Sequence, residues 1–161
     1  MFTQNFVVEG VEYNIHIHRY EGIIKTNPYH EYFFIETSGF INLLNYYKQF
    51  NYRLEKGIIN ISTSVHNICQ IIEHIIYSMK KKPAAKGGLY NLRKILTNHD
   101  VIIIQNPISA DACFDIYGSD AIWLDVFFSA GFYKLVIHDN PVQNVLPKYV
   151  KIFNPQQIRE M

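Results

Sequence analysis

Surplus charge, cysteine and long apolar runs are all scarce in this chain, and each shortage closes off a class of protein. Among its 161 residues, 15 Lys and Arg stand against 14 Asp and Glu, a net charge of +1. No overall basic field therefore gathers nucleic acid, and no acidic one imitates it. The two cysteines, Cys69 and Cys113, lie far apart in apolar contexts without zinc-type spacing. Two buried thiols in a reducing compartment is the economical reading. The opening residues lack a basic region followed by a long apolar one, so no secretory signal is expected. Apolar stretches in the C-terminal half are interrupted by Asp125, Ser129, Gly131 and Lys134, which predicts no membrane span. A cytoplasmic protein is the expectation. The absence of any Gly-x-x-x-x-Gly-Lys-Ser/Thr run excludes a nucleotide-hydrolysing P-loop.

What the chain has is apolar and aromatic substance. Hydrophobic residues make up 48% and aromatics 15%, with 12 Tyr and 11 Phe. That composition rules out disorder and supplies a core without disulfides or metal, as one domain over residues 1–161. Phe6-Val7-Val8 and Tyr13 to His18 flank Glu9-Gly10, a hairpin signal, and Tyr32 to Ile35 forms a third run after Asn27-Pro28. Apolar spacing from Gly39 to Phe50 predicts a short helix. The clearest element runs from Val65 to Met79, where Ile68, Ile71, Ile72, Ile75, Ile76 and Met79 share one stripe. Asn67, Gln70, Glu73 and His74 face the other way. Lys80-Lys81-Lys82-Pro83 ends it, with cations at the negative helix terminus and a proline stop.

Further on, Leu89 to Leu96 reads as a short helix and Val101 to Ile104 as a buried strand. Two helical pieces are expected, Ala110 to Ile116 and Ala121 to Ala130, the second closed by Gly131. Strands follow at Phe132 to Ile137 and Tyr149 to Phe153. The order predicts an α+β fold: an N-terminal β-hairpin or meander, a central amphipathic helix over about 65–79, and a late mixed helix and strand segment, rather than a repeating βαβ ladder.

The run Gly57-Ile58-Ile59-Asn60-Ile61-Ser62-Thr63-Ser64 delivers three hydroxyls to a helix entrance. Free backbone N–H donors gather there as well, so one of the hydroxyls caps the helix or the group receives a phosphate-bearing ligand. With Arg19 on an early strand, this triplet resembles the arginine–serine–glutamate class of ADP-ribosyltransferases. Gly131-Phe132 and the terminal Tyr149 to Ile158 segment are similar to the closing strand of related domains in bacterial and phage conflict proteins. The resemblance implies NAD as cofactor, with Arg19 on its diphosphate and Ser62, Thr63 and Ser64 around the nicotinamide. That family's paired acidic stretch is missing here, where Gln105-Asn106-Pro107 stands. The resemblance therefore assigns no catalytic acid and implies altered or lost catalysis. The alternative is a non-catalytic immunity or inhibitor module whose tyrosines bind a protein partner.

Three further groups complete the reading. His16 and His18 share one strand face, the geometry of two metal ligands, and His99-Asp100 and His138-Asp139 add imidazoles beside carboxylates. Histidines on the polar face of a hairpin are ordinarily surface residues, and no metal is assigned. Glu21 falls one residue short of a cupin pattern. Lys80, Lys81, Lys82 and Lys86 precede Gly87-Gly88, with Tyr77 and Tyr90 as stacking faces for RNA, although one patch on a neutral chain makes a nucleic-acid partner a weak expectation. Asp111 and Asp115 share a helix face, and Asp111 and Asp120 read as helix-start acids.

Overall fold

The computed structural model describes residues 2–19, 31–105 and 117–161. In β2 (Val11–Arg19) the odd-numbered Val11, Tyr13, Ile15 and Ile17 are buried, while Glu12, Asn14 and His16 face outward. This period of two pairs it antiparallel with β1 (Phe2–Val8). The turn between them holds Glu9 and Gly10 at φ 49° and 76°, the left-handed backbone that tight hairpins require.

The rest alternates strands and helices. After β3 (Phe33–Ile35) come α1 (Thr37–Asn45) and α2 (Tyr47–Glu55), then β4 (Ile61–Ser64), α3 (Val65–Lys81), α4 (Gly87–Asn98) and β5 (Ile102–Gln105). Then follow α5 (Ala121–Ser129), β6 (Lys134–Val136), β7 (Lys151–Phe153) and α6 (Pro155–Arg159). Among the described residues the sheet has seven strands in the order β1-β2-β5-β4-β3-β6-β7. Among these described strands only the β1–β2 pair is antiparallel, and the remaining neighbours pair in parallel.

The α+β class expected from the sequence stands, with the hairpin at one edge and the amphipathic helix where its stripe lies. The parallel centre departs from the expectation that βαβ units would not recur. Pairing between strands so distant along the chain has no local signature. The single helix expected from Gly39 to Phe50 is two helices, broken at Tyr46 (φ −115°, ψ 47°), whose N–H returns to the Leu43 carbonyl. The helix expected at 110–116 lies outside the described residues, as do Glu21, Asp111, Cys113 and Asp115.

Alternation along the central strands divides the core into two faces. Phe33, Ile35, Ile61, Ile103 and Val136 pack with Phe40, Leu43, Ile68, Ile71 and Leu92 of α1, α3 and α4. Phe34, Ile104 and Leu135 turn the other way and meet Trp123, Leu124 and Phe127 of α5. Each fully buried side chain of this size contributes roughly 1.5–3 kcal/mol before entropy is subtracted. Phe34 anchors the second face, stacked 6.0 Å from Trp123 and edge-on to Phe127 at 5.5 Å.

Two sequence expectations change here. Cys69 is exposed rather than buried, because it falls beside the stripe of Ile68, Ile71, Ile72 and Ile75. Asn67, assigned to the polar face, is fully buried, since that face turns toward α1. No helix among the described residues is long and apolar enough to cross a membrane.

Candidate functional site

Parallel strands end at a common edge, so the residues following β3, β4 and β6 are neighbours although distant in sequence. The chain runs from β3 to β4 and β5 on one side, then crosses to place β6 on the other side of β3. The strand order reverses at β3, the position where open parallel sheets leave a crevice at their carboxyl ends.

Glu36 is the first residue beyond β3 and caps α1. One carboxylate oxygen, Oε1, accepts from the backbone N–H groups of Ser38 and Gly39 and from the Ser38 hydroxyl. The other, Oε2, accepts from Asn140 Nδ2 at 2.9 Å. The same nitrogen donates to Asp120 Oδ1 at 2.8 Å, and that oxygen also accepts from Trp123 Nε1 at 2.9 Å. Asn140 is held in turn, its Oδ1 accepting from Val142 N at 3.0 Å. A buried carboxylate, 4% exposed at Glu36, thus shares one amide donor with a second carboxylate.

The α1 entrance is fastened to the end of β6. Glu36 N–H donates to the Val136 carbonyl at 2.9 Å, and Ser38 Oγ accepts from the N–H groups of His138 and Asp139 at 3.0 and 3.1 Å. Gly39 allows this approach, because a Cβ there would lie 2.8 Å from the Val136 carbonyl oxygen. Behind the rim, Ser64 caps α3, and its hydroxyl donates to Asn67 Oδ1 while accepting from Asn67 N–H. Asn67 Nδ2 donates to Thr37 Oγ1 at 2.9 Å, which donates to Gln70 Oε1 at 2.6 Å. Polar side chains of α3 are drawn inward by this relay, and the buried Asn67 amide finds its partners there.

Above these groups lies a cleft of about 750 Å³ lined by Glu36, Ser38, Glu73, His74, Tyr77 and Asp139, among others. Lys81 Nζ sits 4.8 Å from the ring centre of Tyr77, which lines the cleft. His66, half-buried at the start of α3, is pushed below its ordinary value of 6.5 by burial, against the opposing pull of Glu73 and Asp120. Its Nε2 is enclosed without a hydrogen-bond partner.

The residues singled out from sequence fare differently. Ser62, Thr63 and Ser64 are 0%, 0% and 1% exposed. Thr63 Oγ1 donates to the Ile35 carbonyl at 2.8 Å, Ser64 is spent on the helix cap, and Ser62 Oγ is buried without a partner. Arg19 closes β2 in register with Gln105, its side chain lying outside the described residues. His16 is on the exposed hairpin face with Nδ1 3.0 Å from Thr3 Oγ1, and the His18 side chain lies outside the described residues. Glu36 and Asn140 were missed as site residues. Each follows an apolar strand and opens a helical turn, the same signal that drew attention to Ser62–Ser64, and Asp120 was read only as a helix-start acid.

No protein-family model and no curated protein sequence matches the chain. Among solved structures, the fold is similar to the crystal structure of PAE2754 from Pyrobaculum aerophilum, with a TM-score of 0.60 and 14% identity. The match covers 85% of this chain and 96% of that one, a likeness of fold alone.

Proposed function

We propose that this chain is a divalent-cation-dependent hydrolase of phosphodiesters acting on a nucleic-acid strand. The observation that carries the reading is the pair Glu36 and Asp120, both hydrogen-bonded to Asn140 Nδ2 at the carboxyl edge of the sheet. Hard oxygen donors in small number are what magnesium and manganese use, with one or two protein carboxylates and the rest from water and substrate phosphate. No group of three or more His, Cys, Asp or Glu able to hold a metal occurs among the described residues, so the proposal rests on the two carboxylates Glu36 and Asp120.

When bound, such a cation polarises a phosphoryl oxygen and makes a nearby water more acidic. The protein's own groups do the rest. Glu36 is locked by its cap bonds, so one oxygen is fixed and the other is presented toward Asn140 and Asp120. Asp139 and His74 line the open side, where water and a leaving group would enter. Tyr77 with Lys81 offers a stacking face and a cation, the pairing that suits single-stranded nucleic acid. A cytoplasmic setting belongs to the same proposal.

The test is incubation of the protein with single-stranded RNA and DNA oligonucleotides in manganese or magnesium, against the same mixture in EDTA. Cleavage requiring the metal, and lowered at least ~100-fold in Glu36→Gln and Asp120→Asn, is the expected result. Intact substrates together with no calorimetric binding of manganese would overturn it. The NAD-binding reading of Arg19 and Ser62–Ser64 has less support, because all three hydroxyls are turned inward. Nicotinamide release that Arg19→Ala abolishes would restore it. If neither reaction occurs, the exposed tyrosines favour the protein-binding module.

A further inference from the structure

At the far end of α1, two arginines converge on a cleft that has no assigned use. Arg53, in the last turn of α2, and Arg159, in the last turn of α6, line a cavity of about 610 Å³ with Tyr46, Gln49, Gln156 and Glu160. The Nε atoms of both arginines are enclosed and have no hydrogen-bond partner. Neither guanidinium is ion-paired with a described carboxylate. Arg159 Cζ lies over the Tyr46 ring, 3.7 Å from its centre, and Arg53 Cζ lies 5.4 Å from the centre of the Tyr52 ring while its Nη1 donates to the Gln49 carbonyl at 3.4 Å. The carboxylate on the rim, Glu160, has one oxygen occupied by Gln156 Nε2 at 2.9 Å.

Stacking fixes a guanidinium through its face and leaves the in-plane N–H fork free, which is the geometry that recognises phosphate. Helix C-termini account for one cation each as dipole partners. They do not account for two guanidinium groups lining one polar cavity with neither paired to a described carboxylate. We propose that Arg53 and Arg159 form a binding site for a phosphate group.

The neighbouring clefts say which phosphate. The site cleft containing Glu36 and Asp139 shares Ile41, Asn45 and His74 with a second cleft, and the second shares Leu44, Asn45 and Asn91 with a third. The third shares Tyr46 and Gln49 with the arginine cleft. A series of adjoining clefts of mixed polar and apolar lining thus runs along α1 from Glu36 to the two arginines. Glu36 and Tyr46 are ten residues apart, a span of roughly 15 Å at the helical rise. The bound phosphate belongs to the same strand whose ester lies at Glu36, a few nucleotides away. That second step rests on the hydrolase reading, whereas the anion site itself does not.

Two measurements separate them. Inorganic phosphate is titrated into wild type, Glu36→Gln and the double variant R53Q/R159Q while melting temperature is followed. It raises the melting temperature of the first two and leaves that of the double variant unchanged. An equal response in all three overturns the site. R53K/R159K keeps stems and charge but loses the planar fork, so its phosphate response falls several-fold; an undiminished response there also counts against guanidinium recognition. In the second arm, oligonucleotide cleavage by R53Q/R159Q shows KM raised about tenfold with kcat unchanged, the mark of binding lost equally in ground and transition state. Its binding in EDTA has a salt slope shallower by about 0.7 for each lost contact. Unchanged KM and slope overturn the strand path. Failure of wild type to cleave anything removes the hydrolase reading and leaves the phosphate titration to decide the anion site.

Discussion

Glu36 and Asp120 accept hydrogen bonds from one and the same nitrogen, Asn140 Nδ2, at 2.9 and 2.8 Å. Two acids that would otherwise repel are held together by a single neutral donor. Asn140→Ala removes it and leaves both carboxylates facing each other. The variant is expected to lose about 1–3 kcal/mol of stability in metal-free buffer. Manganese should restore most of that loss by taking the vacated position, read as a larger metal-induced rise in melting temperature than in wild type.

The hydroxyl triplet separates capping from burial. Ser64→Ala forfeits the α3 cap and should cost about 0.5–2 kcal/mol. Ser62→Ala deletes an enclosed hydroxyl without a partner and should be neutral or stabilising by up to ~1 kcal/mol. Urea titration of both variants checks the contrast, and a loss at Ser64→Ala with none at Ser62→Ala is the expected outcome.

Gly39 and Gly87 make a second paired test. A methyl group at Gly39 would press on the Val136 carbonyl at 2.8 Å, whereas nothing lies within 4 Å of the corresponding position at Gly87. Gly39→Ala should cost about 1–3 kcal/mol by forcing α1 from β6. Gly87→Ala, in helical backbone at φ −54°, should gain about 0.4–1 kcal/mol by restricting the unfolded chain.

Two imidazoles set the direction of the acid limb of stability. His66 and His99 are both lowered from 6.5, chiefly by burial, while Glu73 and Asp120 oppose this at His66 and Glu55 and Asp100 at His99. A lowered value means the unfolded chain binds more protons than the folded one between the two values, so stability falls as pH drops below about 6.5. His66→Gln and His99→Gln should each flatten the decline of melting temperature below that pH. Wild-type steepness in both would contradict the assignment.

Local pattern carried much of the fold and little of the site. The stripe of Ile68, Ile71, Ile72 and Ile75 fixes α3, and the Lys80–Pro83 stop falls where the helix ends. Gly131, at φ 77°, closes the turn after α5 as expected. Each of these depends on residues within one or two turns of one another. The parallel order of β3, β4, β5 and β6 depends on which faces find each other after collapse, and nothing near Phe33 or Ile61 encodes it. The site inherits that difficulty. Ser62–Ser64 stood out because three hydroxyls adjoin in sequence, whereas Glu36, Asp120 and Asn140 come together only once the strand order is known.

The close approach at Gly39 has a consequence for how the molecule could diversify. Main chain rests on main chain at that seam, so the spacing between the two rim segments does not depend on the size of any side chain. Substitutions along the adjoining clefts can therefore alter what is gripped without disturbing the scaffold, while the bare α-carbon beneath must stay bare.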